Sequence, residues 1–194
     1  MMPTDPQGNL RTAIKLGEPS MVDWAVESGA DVNAPDESGV APLVLAVMWG
    51  MSDMAAHLVS KGAEVDCAVR GYTPLMFASQ EGPLESVRVL TGAGAELEAR
   101  DEYGLTALMA AARDGHVEIV RLLLDRGADR NARTAAGSTA LDAARHFGHT
   151  AVIDLLAQSE CAVERNSRAT ELAAHMSVYR DERLPPTVEE PESR

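Results

Sequence analysis

The sequence predicts an all-α solenoid of five short helix pairs, because one residue pattern recurs about every 33 positions. An alanine follows each repeat leucine after three residues, a glycine follows it after seven, and a Gly-Ala pair closes each of the first four units. A fixed period of about 20 to 50 residues indicates repeats that stack on one another. The repeat leucines, at steps of 33, 32, 33 and 33 residues, are Leu10, Leu43, Leu75, Leu108 and Leu141. The expected units are residues 1–34, 35–66, 67–99, 100–132 and 133–160.

The fourth unit shows why each repeat should form two antiparallel helices. Thr106 precedes a run of strong helix formers that stops at Gly115, which is typical of a short helix with a capping hydroxyl. After Gly115, apolar residues return at helical spacing until Gly127, so a second helix is predicted there. The turn-forming residues that follow predict an extended, β-hairpin-like loop leading to the next unit.

The two ends of the array depart from the repeat. The first unit begins with prolines, as an end cap would, and its second helix is predicted at residues 20–27 with Trp24 turned towards the core. Residues 161–183 are interpreted as a terminal capping helix, because they contain apolar residues at helical spacing, with disorder as the alternative. Residues 184–194 are proline-containing and acidic, and we expect them to form a disordered tail.

In detail, the units resemble ankyrin repeats, a family with a 33-residue period and a Thr-Pro-Leu-His motif. The resemblance covers roughly residues 5 to 160. It implies a protein-binding function, because in this family the loop tips and the exposed end of each first helix line a concave face that contacts a partner. The matching segments are Gly71-Tyr-Thr-Pro-Leu75, Gly104-Leu-Thr-Ala-Leu108, Gly115-His-Val-Glu-Ile-Val120 and Gly127-Ala-Asp-Arg-Asn-Ala132.

Two departures from the family pattern affect stability. The third unit is one residue short before Gly71, and its outer helix ends in Gly92-Ala-Gly94. Each helix glycine costs on the order of 1 kcal/mol, so this helix should fray first. The motif histidine is also replaced in four units, which removes the hydrogen bonds that its imidazole makes in the family and predicts lower cooperativity. The replacements are Val44, Met76, Met109 and Asp142.

The charge distribution favours a basic partner protein. The chain carries 17 basic and 30 acidic side chains, a formal net charge of −13, and residues 1–99 hold 14 of the acidic and 5 of the basic ones. Such a field repels phosphate groups, so nucleic acid and anionic membrane surfaces are excluded as partners. The sequence shows neither a signal segment nor a spanning apolar stretch. We therefore expect a cytoplasmic protein that is a monomer on its own.

Motifs for catalysis or cofactor binding are absent from the sequence. It contains no glycine-rich phosphate loop, no Gly-x-Ser-x-Gly motif and no cysteine pair at metal spacing. His146 and His149 have a spacing that a metal site can use, but His149 occupies the repeat position of His116, and Gly148 interrupts any helix between them. We expect no enzymatic activity, no cofactor and no metal.

Neither cysteine is expected to be reactive or bridged. Cys67 and Cys161 are far apart in the sequence and lack a second ligand pair. The carboxylates of Glu64 and Asp66 should raise the pKa of the Cys67 thiol and suppress its reactivity. Cys161 occupies the position of the alanine in the Gly-Ala pair, which indicates a small packing residue.

The predicted contact surface comprises the residues at the loop-tip and first-helix-end positions of the resemblance. Four of the seven aromatic residues fall in this set, and buried aromatic side chains dominate the energies of protein interfaces. Its acidic members would face lysines or arginines of the partner. The set comprises Glu37, Ser38, Val40, Met48 and Trp49; Val69, Arg70, Tyr72, Gln80 and Glu81; Glu102, Tyr103, Leu105, Arg113 and Asp114; and Ala135, Ala136, Ser138, His146 and Phe147.

These observations are interpreted as an adaptor or inhibitor that grips a folded partner protein through the concave face. Some of the aromatic residues have an alternative role, which is to cover the first helix of a neighbouring unit. Two other functions stay open. In the first, the array is a structural spacer and the acidic tail is its functional end. In the second, the chain is a hydrolase or transferase, which would require a cluster of titratable groups with divergent pKa values.

Overall fold

The computed structural model describes residues 5–157, and within that range every regular element is a helix. An isolated antiparallel bridge between Val69 and Tyr72 is the extended pairing found there. A further helical stretch occupies residues 150–157. The helices are α1 (Pro6–Leu16), α2 (Pro19–Glu27), α3 (Pro42–Met48), α4 (Ser52–Ser60), α5 (Pro74–Glu81), α6 (Leu84–Gly92), α7 (Ala107–Asp114), α8 (Val117–Asp125) and α9 (Ala140–Phe147).

The helices form two rows that pack against each other. Each odd-numbered helix contacts the next odd-numbered one, so α1, α3, α5, α7 and α9 make the first row, and α2, α4, α6 and α8 make the second row in the same way. The core lies between the rows and consists of Leu, Val, Ile, Met and Ala side chains. The repeat leucines of the first four units are buried, whereas Leu141 is half-buried and packs against the edge of this core.

The local signals that predicted the helix ends are used as expected in the later first-row helices. The Oγ1 atoms of Thr73, Thr106 and Thr139 each accept a backbone N–H from the third residue of α5, α7 and α9. Each of these helices ends at a glycine in the left-handed region. At α9, Asp142 completes a capping box, because its carboxylate accepts the backbone N–H of Thr139 at 2.9 Å.

Histidines join the later units to one another. His116 Nε2 lies 2.8 Å from the carbonyl oxygen of Gln80, and His149 Nε2 lies 2.8 Å from that of Arg113. Because a carbonyl oxygen only accepts, the ring N–H donates in both contacts. Each imidazole thus binds the end of the preceding first-row helix, at a repeat position different from that of the missing motif histidine.

On the edge opposite to these histidines, hydrogen bonds join the loops that follow the second-row helices from unit to unit. In three successive junctions a side-chain oxygen accepts a backbone N–H located 30 or 31 residues further along, at 2.7 to 3.0 Å. A repeated bond of this kind couples neighbouring units directly, as a nearest-neighbour stack requires. The acceptor and donor pairs are Asn33 with Glu64, Asp66 with Glu96, and Glu98 with Asp129.

The predicted orientation of Trp24 is wrong. Its side chain is 42% exposed, whereas Val22 and Ala25 of the same helix are fully buried. At about 100° per residue, a helix that turns positions 22 and 25 towards the core directs position 24 away from it. The predicted helix at residues 161–183, the tail at 184–194 and the packing position of Cys161 lie outside the described residues.

Candidate protein-binding face

Each loop between units contains a short turn, here called a finger and numbered by the unit that it begins. In three of the fingers, a side chain at the start accepts a backbone N–H from the far end. In the second finger (residues 36–40), Asp36 Oδ1 accepts the backbone N–H groups of Ser38 and Val40. In the fourth finger (residues 101–105), Asp101 Oδ1 accepts those of Tyr103 and Leu105 at 2.9 and 2.8 Å. Thr134 closes the fifth finger (residues 134–138) through the N–H of Ser138. Three residues separate the paired ends of each of these fingers.

The third finger (residues 69–72) is the exception, because only two residues separate its ends. Val69 and Tyr72 exchange both backbone hydrogen bonds at 3.0 Å, and the two residues between them have φ values of 53° (Arg70) and 79° (Gly71). Two central residues with positive φ are the signature of a type I′ turn. The residue missing from the third unit is therefore missing from the tip of its finger.

The fingers contact one another closely at two glycines. A Cβ at Gly71 would lie 3.3 Å from the Cα of Asp101, and a Cβ at Gly104 would lie 3.0 Å from the backbone nitrogen of Ala135. That nitrogen also donates a hydrogen bond to the carbonyl oxygen of Tyr103 at 2.9 Å. Both glycines are needed for this approach as well as for their positive φ angles.

A cleft of about 690 Å³ lies over the shortened third finger. Its walls come from the second, third and fourth fingers and from the ends of α5 and α7. Nine of its eleven lining residues belong to the set predicted from the sequence. The lining residues are Ser38, Val69, Arg70, Tyr72, Phe77, Gln80, Asp101, Glu102, Tyr103, Leu105 and Arg113.

Two aromatic rings and two paired polar groups fix the interior of the cleft. The ring of Tyr72 meets that of Phe77 edge to face, with centroids 4.7 Å apart, and its hydroxyl donates to Gln80 Oε1 at 2.7 Å. Arg113 is held by its neighbour Asp114, with Nη2 2.9 Å from Oδ2. Burial raises the pKa of the Tyr72 hydroxyl, and the hydrogen bonds that Arg113 donates to Asp114 raise the pKa of Arg113.

The other predicted residues lie beside the cleft, at the tips of fingers or at the C-terminal ends of first-row helices. Trp49 follows α3 and is 42% exposed, and Phe147 ends α9 and is 54% exposed. The ring of Phe147 contacts those of His146 and His149. Val40 is half-buried, and the remaining ones are exposed: Glu37, Met48, Glu81, Asp114, Ala135, Ala136, Ser138 and His146.

Three residues of this face escaped the sequence prediction. Leu16, at the C-terminal end of α1, is exposed and occupies the repeat position of Trp49 and Phe147, so the repeat phase alone would have found it. Asp101 begins the fourth finger as Asp36 begins the second, but neither residue was in the predicted set. Phe77 lies inside the first-helix segment, where no sequence signal distinguishes a cleft wall from core.

The described residues contain no group of three or more metal-binding side chains. The two histidines considered as a metal pair have other contacts, since His149 binds the carbonyl oxygen of Arg113 and His146 meets Phe147. Burial, with the charge of Glu64 as a smaller cause, raises the pKa of the Cys67 thiol to about 11. The predicted direction is confirmed, but the predicted cause was incomplete because burial is larger than the charge effect. Within residues 5–157 no helix has the length and apolarity needed to cross a membrane.

Comparison with known proteins agrees with this architecture. The family model for ankyrin repeats in three copies matches residues 10–101 and 93–167. Similar proteins include ankyrin repeat and SOCS box protein 16 of Mus musculus, at 35% identity over 42% of this chain and 18% of that protein. Palmitoyltransferase Hip14 of Drosophila melanogaster is 40% identical over 47% of this chain and 15% of its own length. Cyclin-dependent kinase 4 inhibitor B of Rattus norvegicus is 36% identical over 49% of this chain and 74% of that protein. The chain thus spans less than a fifth of the first two relatives.

Proposed function

The chain belongs to the ankyrin-repeat family, and on this premise we propose that it is a non-catalytic module that holds a partner protein through its concave face. We define this face as the fingers together with the C-terminal ends of the first-row helices. One observation carries the proposal, namely that large apolar side chains are exposed on this face. Its cytoplasmic location and its monomeric state stay predictions from the sequence.

Exposed apolar side chains concentrate on the concave face. Among the described residues, six large hydrophobic side chains are exposed, and five of them lie at fingers or first-row helix ends. Tyr103, at the tip of the fourth finger, is the most exposed of the six, at 68%. Aromatic side chains presented in this way supply much of the binding energy when a partner desolvates them. Trp24 on α2 is the single exception among these six.

The charges around these side chains support a partner with a basic surface. Glu37, Glu81 and Glu102 are exposed and have no ion pair within the described part of the chain. Unpaired carboxylates at the rim of an interface steer and orient lysines and arginines of a partner. The names of one group of relatives support a role, because cyclin-dependent kinase inhibitors act on a protein target. Inhibition or adaptation of a protein target is the role we propose here.

Paired aromatic variants test the face. Trp49→Ala combined with Tyr103→Ala should weaken capture of the natural partner from a lysate of the native host by about 2 kcal/mol or more, because both side chains are exposed contacts. The melting temperature of the double variant should change little, since neither side chain belongs to the core. Trp24→Ala is the matched control, because it removes an equally exposed tryptophan from the second row. Equal capture by the double variant and the wild type would refute this assignment of the face.

Site-specific crosslinking gives an independent test. A photoreactive phenylalanine analogue at position 103 should crosslink to the partner, whereas the same group at the exposed position 88 of α6 should not. Crosslinks of equal yield from both positions would place the partner elsewhere.

A further inference from the structure

We propose that the cleft over the third finger is the receptor for one arginine side chain on an exposed loop of the partner protein. This inference rests on the proposed function and specifies what the concave face recognises. Three properties of the cleft support it: the shortened finger at its base, the aromatic side chains in its walls and the excess of negative charge in and beside it.

The cleft lies at the shortest finger that the described residues contain. The second, fourth and fifth fingers place three residues between their paired ends, and the third places two. Because one residue is missing from its tip, the third finger is a shorter barrier between the second and fourth fingers. The space extends from Ser38 on one side to Tyr103 on the other.

The walls of this space suit a long side chain with an apolar stem. Val69, Tyr72, Phe77 and Leu105 are each half-buried and present carbon atoms to the cleft. Tyr103 stands at the mouth, and no hydrogen bond of its hydroxyl is found within the described residues. An arginine can lay its methylene groups along such walls and stack its planar guanidinium on an exposed aromatic ring.

The charges in and beside the cleft select a cation. Asp101 and Glu102 line the cleft, and three more carboxylates, at Glu37, Glu81 and Asp114, adjoin lining residues in the sequence. They outnumber the guanidinium groups of Arg70 and Arg113, which line the cleft, and of Arg100, which adjoins Asp101. Arg113 is already neutralised by its contacts with Asp114. Arg70 is therefore the unpaired cation among the lining residues, and it opposes an incoming arginine. The local balance is negative, and charge complementarity favours a guanidinium over a carboxylate.

The proposal makes opposite predictions for two residues that line the same cleft. Glu102→Gln removes an attractive charge and should weaken arginine binding, whereas Arg70→Gln removes a repulsive charge and should strengthen it. Both residues are exposed and both are replaced by glutamine, so the two substitutions are matched in burial and in the side chain introduced. A purely structural role of the finger would not produce this reversal of sign.

The test is a titration of the isotope-labelled full chain with N-acetyl-arginine amide, followed by NMR, with N-acetyl-glutamate amide and N-acetyl-phenylalanine amide as comparison probes. The arginine probe should give saturable shifts in the amides of residues 69–72 and 101–105. Tyr103→Ala should lower its affinity about two- to fivefold, the range expected for loss of one cation–aromatic contact at an exposed site. Trp24→Ala, which removes an exposed tryptophan from the second row, should leave the affinity unchanged.

A second variant closes the cleft without altering the aromatic side chain at its mouth. Replacing residues 69–71 by the four residues that occupy 36–39 gives the third finger the length of the second, and it should abolish the arginine shifts. Three outcomes would each overturn the proposal. The first is unchanged shifts in this variant, the second is equal or stronger shifts with the glutamate or phenylalanine probe, and the third is no saturable shift with the arginine probe. These outcomes are distinguishable from failure of the proposed function, because the Trp49 and Tyr103 double variant tests partner capture separately.

Discussion

The two halves of the array form the same helix pairs by different means. A glycine with positive φ follows every first-row helix within two residues. In the third to fifth units each first-row helix also has a threonine cap, and histidines of the fourth and fifth units bind the preceding unit. In the first two units, α1 and α3 have no side-chain cap, and Glu18 and Met51 occupy the repeat position of the bridging histidines. Stacked apolar residues therefore suffice to form the unit, whereas caps and bridging histidines determine how stable it is.

Polar contacts between helices partly replace the threonine caps and the bridging histidines in the first two units. Asp23 on α2 accepts from His57 Nε2 at 2.9 Å and from Lys61 Nζ at 2.7 Å, and so joins the two second-row helices. Such exposed pairs contribute little stability compared with buried apolar contacts. We therefore expect the amino-terminal half to open more readily than the later units, as local opening follows the local density of stabilising contacts.

The largest effect should come from matched leucines in the second row. Leu58 in α4 and Leu123 in α8 occupy the same repeat position, and both are fully buried. Replacing either by alanine should lower the free energy of unfolding by about 2 to 5 kcal/mol, because it removes buried methyl groups and leaves a cavity. Urea denaturation measures both losses. A loss under about 1 kcal/mol at Leu123 would show that this column does not face the core.

The caps provide a more direct test of the comparison between the halves. Ala41 occupies in the second unit the position that Thr106 occupies in the fourth, and its backbone is already extended as a cap requires. Thr106→Ala should lower stability by about 1 kcal/mol, and Ala41→Thr should raise it by up to a similar amount, because a side-chain oxygen then binds an unpaired N–H at the start of α3. Hydrogen exchange of the α3 amides should slow in Ala41→Thr. Unchanged exchange would mean that missing caps do not limit the amino-terminal half.

Most of the fold was predictable because its signals are short-range and repeated. Thr106 and Gly115 predicted both ends of α7, and the repeat leucines predicted the buried column in the first four units. Trp24 was mispredicted because the divergent first unit gives few aligned positions from which its buried face can be determined. Most residues that line the cleft were predictable from the sequence, but the depth of the cleft was not. Its residues follow from repeat phase, whereas its depth depends on a two-residue turn that places Arg70 in the left-handed region.

The third finger provides a smaller test, which concerns backbone strain. Arg70 is the one described non-glycine residue with positive φ, at 53°. Because side chains with a Cβ are disfavoured there, Arg70→Gly should raise stability by about 0.5 to 1 kcal/mol, less the entropy that an added glycine loses on folding. Glu37→Gly in the second finger, where φ is not positive, is the control and should lower stability. A loss of stability in both variants would show that the turn does not strain Arg70.

The smallest effects concern two aspartates, one in each half, whose pKa values are lowered for different reasons. Hydrogen bonds from Lys61 and His57 lower the pKa of Asp23, and the backbone N–H and hydroxyl of Thr139 lower that of Asp142. A carboxyl group whose pKa falls on folding stabilises the native state above its unfolded pKa, near 3.8, and this contribution disappears as the pH drops through the lower folded value. Asp23→Asn and Asp142→Asn should therefore each destabilise the chain more at pH 7 than at pH 2.

Salt distinguishes the two aspartates. Ion pairs at the surface are screened at high ionic strength, whereas a hydrogen bond from a neutral donor is screened much less. Thermal denaturation at pH 7 in low salt and in 1 M NaCl should show that salt reduces the effect of Asp23→Asn more than that of Asp142→Asn, whose ion pair with Arg145 is long, at 4.0 Å. Equal salt sensitivity would contradict the idea that ion pairs replace capping bonds in the amino-terminal half, because both aspartates would then act through charge alone.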